Sequence, residues 1–279
     1  SGEAELFFKA VRDSMVEIKN YYLYGDPPLV DDEEADVEIP GSCMMMRFLQ
    51  LMSEGHFEPN QDIMREQAHT SINLLDDFVE LLAILSRDKH RCRSSTKAAL
   101  QAASTVLEVI QGPCKKNQMH LAIHTELVEI LNRITRSKPI RDCLADEDNE
   151  VKKTALEIFE GLLEGETGAS VIITRIISVI DLDVLRGIIE AQEAGDEENA
   201  DLTEIQMESL VLLQMFFDFK PALRDQCQLS TRVQKLMGKR VTSVEVVWDG
   251  TILRRFFPVP AICDHIAEAT RQKLVTEVD

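Results

Sequence analysis

Glu108 and Gln111 stand one helical turn apart in "TVLEVIQGPCKKNQ", just ahead of Gly112-Pro113. Val106, Leu107 and Ile110 form the inner stripe of a helix, and Gly-Pro is a strong stop signal, so both polar residues fall in the helix's last turn. A carboxylate there faces the negative end of the helix dipole, a penalty of about 0.3–1 kcal/mol. A cation would remove it. Glu54 in "LMSEGH" is a second acid near a helix end, followed by Gly55. Calcium takes several oxygen ligands, commonly about 6–8, in flexible geometry. Two glutamates at adjacent helix ends, with a Gln amide carbonyl one turn away, would supply part of such a shell. Solvated glutamates, or a salt bridge from Glu108 to Lys115 or Lys116, account for the same residues at almost no cost.

Other chemical patterns are weaker. His120 and His124 are spaced i, i+4 on an expected helix and could share a metal, though surface histidines beside Asn and Gln explain them adequately. "DEDNEVKKTALE" (146–157) imitates a calcium-binding loop, but Val151 stands where the sharp turn needs Gly. A negatively charged helix start is the better reading. The sequence has no glycine-rich phosphate loop, no G-x-S-x-G and no H-E-x-x-H. No nucleophile–base pair is visible, so an enzyme is not expected.

The elements that must position the acids are helical. The 279 residues are 44% hydrophobic but only 5% aromatic, a mix suited to helices on aliphatic cores. Stripes at helical spacing cover Phe7, Val11, Met15, Ile18 and Tyr22, then "CMMMRFLQLMSEGH", Pro59 to about Leu85, and the helix ending near Glu108. Further helices are expected at about 118–135, 149–163, 170–191, 202–218 and 221–236. Acidic loops interrupt them near 25–42 and 193–201. The fold class is mainly α, an armadillo- or HEAT-like irregular helical stack over residues 1–236. Residues 237–279 form a β-hairpin and helix coupling module. There "VTSVEVVW-DG-TILRRFF" turns at Asp249-Gly250, so Trp248 faces Thr251, Val246 faces Leu253 and Glu245 faces Arg254. One face is mostly apolar and the other carries the charge pair; the apolar face must dock, and a helix follows Pro260.

Composition narrows the partners. With 30 basic and 49 acidic side chains the net charge is −19, which argues against nucleic acid and anionic lipid headgroups. Six isolated cysteines read as reduced thiols in the cytosol. No apolar run approaches the ~20 residues of a transmembrane helix, so no membrane insertion by this segment is expected. The Ser1-Gly2 start reads as that of a processed chain or a fragment.

Three blocks then carry a resemblance. "MMRFLQLMSEGH", "LEVIQGPCKKNQ" and "RRFFPVPAIC" resemble, in order, the end of the cytosolic region of intracellular calcium-release channels, the inositol trisphosphate and ryanodine receptors. The resemblance spans 43 to about 279 and leaves the first forty residues unmatched. "FFPVPAIC" leans to the inositol trisphosphate branch, whereas "SEGH" and "LLEG" (162–165) are nearer the ryanodine branch. It implies the last armadillo-like domain before the pore and a hairpin-bearing domain beside the membrane, on the cytosolic face of the endoplasmic or sarcoplasmic reticulum. It implies an activating calcium site at Glu54 and Glu108, supported by Gln111, with His56 nearby. The shell would be completed by a post-pore zinc-finger linker of the same polypeptide, in a tetramer. A site for ATP is implied at Glu268, Arg271 and Val275, where Val275 replaces an aromatic often offered to the base. The expected function is regulatory coupling of conformational change to the pore. The rival is a helical-repeat scaffold that binds a protein partner and no ion.

Overall fold

The structure is a computed structural model that describes residues 2–25, 42–68, 71–87, 93–138, 145–191, 202–248, 250–267 and 269–270. It divides into two compact units, Ser1–Asp181 and Leu182–Asp279. Residues 26–41 and 192–201, where the acidic loops are expected, lie outside the described residues, as do Cys92 and Cys143; Cys43, Cys114, Cys227 and Cys263 form no disulfide.

The first unit holds α1 (Gly2–Tyr24), α2 (Ser42–Ser53), α3 (Glu58–Arg65), α4 (Leu74–Leu85), α5 (Arg93–Glu108), α6 (Lys115–Ile123), α7 (Leu127–Arg136), α8 (Ala145–Leu163) and α9 (Val171–Val179). The inner stripe of α1 runs through Phe8, not Phe7, with Val11, Met15, Ile18 and Tyr22. α5 lies at the centre, against α2, α4 and α8. Its buried face carries Ala98, Ala99, Ala102 and Ala103, so three neighbours can approach its backbone. Bulk comes from those neighbours: Met46 and Leu49, Phe78 and Leu82, Leu156 and Phe159 are buried at 0–1% exposure. This is the volume-filling that a close-packed interior demands.

The second unit comprises α10 (Leu182–Glu190), α11 (Glu204–Phe219), α12 (Ala222–Gln226), α13 (Thr231–Arg240), β1 (Val241–Trp248) and β2 (Thr251–Pro258). The strands pair antiparallel in the expected register, Glu245 opposite Arg254 and Val246 opposite Leu253. Gly250 takes φ +73°, the left-handed conformation the turn requires. β2 packs on α11, Leu253 is buried, and Arg254 Nη1 donates to Asp218 of α11 at 2.5 Å. Val247 and Ile252, a cross-strand pair on the same face as Glu245 and Arg254, stay 75% and 67% exposed. After β2 a 3-10 turn spans Ala261–His265 where a helix start was expected, and residues beyond Thr270 lie outside the described set.

Four expected helices each resolve into two: α3 and α4, α6 and α7, α9 and α10, α12 and α13. Among the described residues no helix is long and apolar enough to cross a membrane.

Candidate functional site

The α2 helix ends at Ser53, and the chain reverses through Glu54, Gly55 and His56. Gly55 has φ +79° and His56 φ +58°. Two successive left-handed residues turn the chain sharply, and a β-carbon makes this costly at His56. α3 then starts at Glu58 with Pro59 in its first turn, where a missing N–H does no harm. Asn60 Nδ2 reaches back to the Met52 carbonyl at 2.7 Å, satisfying an α2 acceptor.

α5 ends at Glu108, and Gln111 lies beyond it, in the turns that run to Pro113. This corrects the expectation that both share the last helical turn. The carbonyls here are met by buried amides. Gln61 Nε2 donates to Glu108 O and Gln111 O, both at 2.8 Å, and Asn117 Nδ2 donates to Val109 O at 2.9 Å. Arg65 Nη1 donates to Asn117 Oδ1 at 2.5 Å, fixing that amide's orientation. The Gly112 N–H donates to Glu164 Oε2 at 3.0 Å. Gly112 has φ +109°, and a β-carbon there would lie 2.6 Å from His56 Cβ. The turn after α2 therefore backs directly on the turn after α5.

Burial raises the Glu108 carboxyl above its ordinary range. The His56 ring, the Arg47 guanidinium and the Gly55 N–H oppose that rise, while the Glu54 carboxylate adds to it. Glu54, distant in sequence, is thus placed where its charge bears on Glu108. The alternative salt bridges to Lys115 and Lys116 give way to other partners. Lys115 Nζ bonds Glu166 Oε1 at 2.6 Å and Glu164 O at 2.9 Å, and Lys116 Nζ bonds Asp62 Oδ2 at 2.9 Å. Burial presses the Asp62 carboxyl upward, but Lys116 and Arg65 outweigh it and hold it below its usual value.

Two mutually repelling carboxylates, one half-buried, fit part of a hard-cation shell made of oxygen. They do not make a complete one: among the described residues no group of three or more His, Cys, Asp or Glu is placed to hold a metal ion. His120 and His124 lie with ring centroids 6.0 Å apart, and His120 Nε2 contacts Asp76 Oδ1 at 2.7 Å and Asn73 Nδ2 at 2.9 Å. Asp146, Glu147 and Asp148 occupy the first turn of α8, as a charged helix start should. Glu268, Arg271 and Val275 lie outside the described residues.

Sequence reasoning assigns Gln61, Asn117 and Glu164 no role at the site, although Asn117 and Glu164 lie in blocks that carry the resemblance. A signal for the first two existed: Gln61 precedes Met64 by three positions and Asn117 precedes Leu121 by four, so both amides sit on inner stripes.

Fold and site together define a helical-stack protein whose paired acids sit at helix ends. Residues 37–135 match the family model described as RyR and IP3R Homology associated. The matched segment contains Glu54, Glu108 and Gln111, and its match supports the ryanodine and inositol trisphosphate receptor family.

Proposed function

We propose that the chain is a cytosolic regulatory segment of a tetrameric intracellular calcium-release channel, in which Glu54 and Glu108 give carboxylates to the activating calcium site. The observation that carries this reading is the close approach of the turn that follows Glu54 to the turn that follows Glu108, where a β-carbon at Gly112 would lie 2.6 Å from His56 Cβ. Bound there, a divalent cation would offset the repulsion between the two acids. The chain's own residues do the positioning. The left-handed turn at Gly55 and His56 presents Glu54, the amide-held end of α5 presents Glu108, and Gln111 follows one turn on as support. A ligand shifts a conformational equilibrium only through differential affinity, so the two turns must sit closer to ligand geometry in the gate-ready arrangement.

The remaining ligands belong to a post-pore zinc-finger linker, and the segment works beside the pore domain and neighbouring subunits at the endoplasmic or sarcoplasmic reticulum. A nucleotide such as ATP at Glu268, Arg271 and Val275 belongs to the same reading. "FFPVPAIC" favours the inositol trisphosphate branch.

Calcium titration followed at the Gly55 and Gly112 amides tests the site, with Glu108→Gln as control. Both amides should shift in the parent and not in the variant, with affinity weaker than the ~10⁻⁷–10⁻⁵ M of calcium sensors. Amides that ignore calcium at every concentration would refute the site. The second reading, a scaffold that binds a protein and no ion, draws on the exposed Val247–Ile252 pair of the hairpin.

A further inference from the structure

Glu108 meets Glu54 only if the end of α5 is held in one orientation, and the groups that hold it lie on neither acid's helix. Gln61 is 1% exposed, and its Nε2 spends both donors on the α5 end, one on the Glu108 carbonyl and one on the Gln111 carbonyl. Its own carbonyl accepts from Asn117 Nδ2 at 2.9 Å, and the same amide reaches Val109 O. Three carbonyls of one turn, at 108, 109 and 111, are thus met by two side chains that are 0–1% exposed.

The chemistry of those donors matters. A Lys or Arg in Gln61's place would satisfy the same carbonyls, yet its charge would pair with Glu108 and cancel it. A neutral amide offers the positive end of a dipole to the negative helix end and adds no full charge beside the carboxylate. The far side of the turn is fixed as well. Gln118 Nε2 donates to Gly161 O at 2.6 Å and Glu164 O at 3.1 Å, steadying the loop whose Glu164 takes the Gly112 N–H.

We propose that Gln61 is the positioning residue of the Glu54–Glu108 pair: its buried amide, bonded to the Glu108 and Gln111 carbonyls, aims the α5 end at the turn after α2. The consequence for calcium rests on the functional reading above, whereas the geometry does not.

Gln61→Met keeps length and apolar burial while removing both donors. In the whole chain, the nuclear Overhauser contact between the His56 β-protons and the Gly112 α-protons should vanish, with the cross-strand contacts of Glu245 and Arg254 unchanged. Calcium affinity at the Gly55 amide should fall by about 10–100-fold, the range for losing a group that orients a metal ligand. Placed on Glu108→Gln, the same change should cost nothing further. A folded Gln61→Met chain that keeps the His56–Gly112 contact overturns the proposal, whatever calcium does. Loss of that contact, in a chain whose parent never responds to calcium, upholds the positioning and overturns the calcium reading. Should the variant not fold, the parent decides: Gln61 side-chain amide protons exchanging as fast as those of exposed Gln228 would overturn the proposal, and slow exchange supports it.

Discussion

At the scale of single residues, Glu108 carries a stability cost with a definite pH signature. Its folded carboxyl binds a proton more readily than the ordinary value of 4.5, chiefly because it is buried. From that value upward to its folded value, the native state holds more protons than the unfolded chain, so stability falls as pH rises. Glu108→Gln should abolish this fall. The urea midpoint of the variant should exceed the parent's at about pH 7 and match it at about pH 4. A variant with an unchanged pH profile would show that the carboxyl is not held away from solvent. The acids themselves were legible, since Glu54, His56, Glu108 and Gln111 lie in recognisable blocks. Their supports were not. Gln61 and Asn117 sit on inner stripes, yet the carbonyls they meet show only once their neighbours are placed, and Glu164 reaches Gly112 across 52 positions of sequence.

At the scale of elements, one cation stitches α1 to α4. Lys19 Nζ lies 2.7 Å from Asp77 Oδ1 and 2.6 Å from Glu80 Oε2, and Asp77 is 6% exposed. Burial pushes the ammonium's pKa down, but the two carboxylates outweigh it and raise it above 10.5. The stability this contributes is present below that value and disappears as alkaline pH passes the folded one. Lys19→Met should cost about 3 kcal/mol by leaving the Asp77 charge buried, with Arg12, at 3.9 Å, the one cation among the described residues to replace its partner. Adding Asp77→Asn should restore most of the loss in a denaturant titration. The elements differed in how well the sequence announced them. The hairpin was legible to the residue pair, because period-two alternation and an Asp-Gly turn leave one register. The split helices were not, because their breaks contain no Gly or Pro at the decisive points. Asn73 accepts the Leu75 and Asp76 N–H groups, Thr125 accepts Leu127 N–H, and Ser230 accepts Val233 N–H. Such side-chain caps start a new helix without interrupting the apolar period.

At the scale of the molecule, two cores imply two transitions. The hairpin shares its unit with α10–α13, and Leu253 is its buried anchor. Leu253→Ala should lose about 2–3 kcal/mol by the usual cavity cost. In a denaturant titration it should move only the transition of Leu182–Asp279, and Lys19→Met only that of Ser1–Asp181, with additive effects when combined. One shared transition displaced by both would contradict this independence. Patterning draws its line at 236/237, within α13, whereas packing groups the strands with the helices that cover them. The smallest side chain in the first unit has the widest reach. Any methyl at position 112 would act as a wedge, prying the histidine's turn from the end of α5. Both turns could change much of their lettering over evolutionary time sooner than this one hydrogen could be exchanged for carbon.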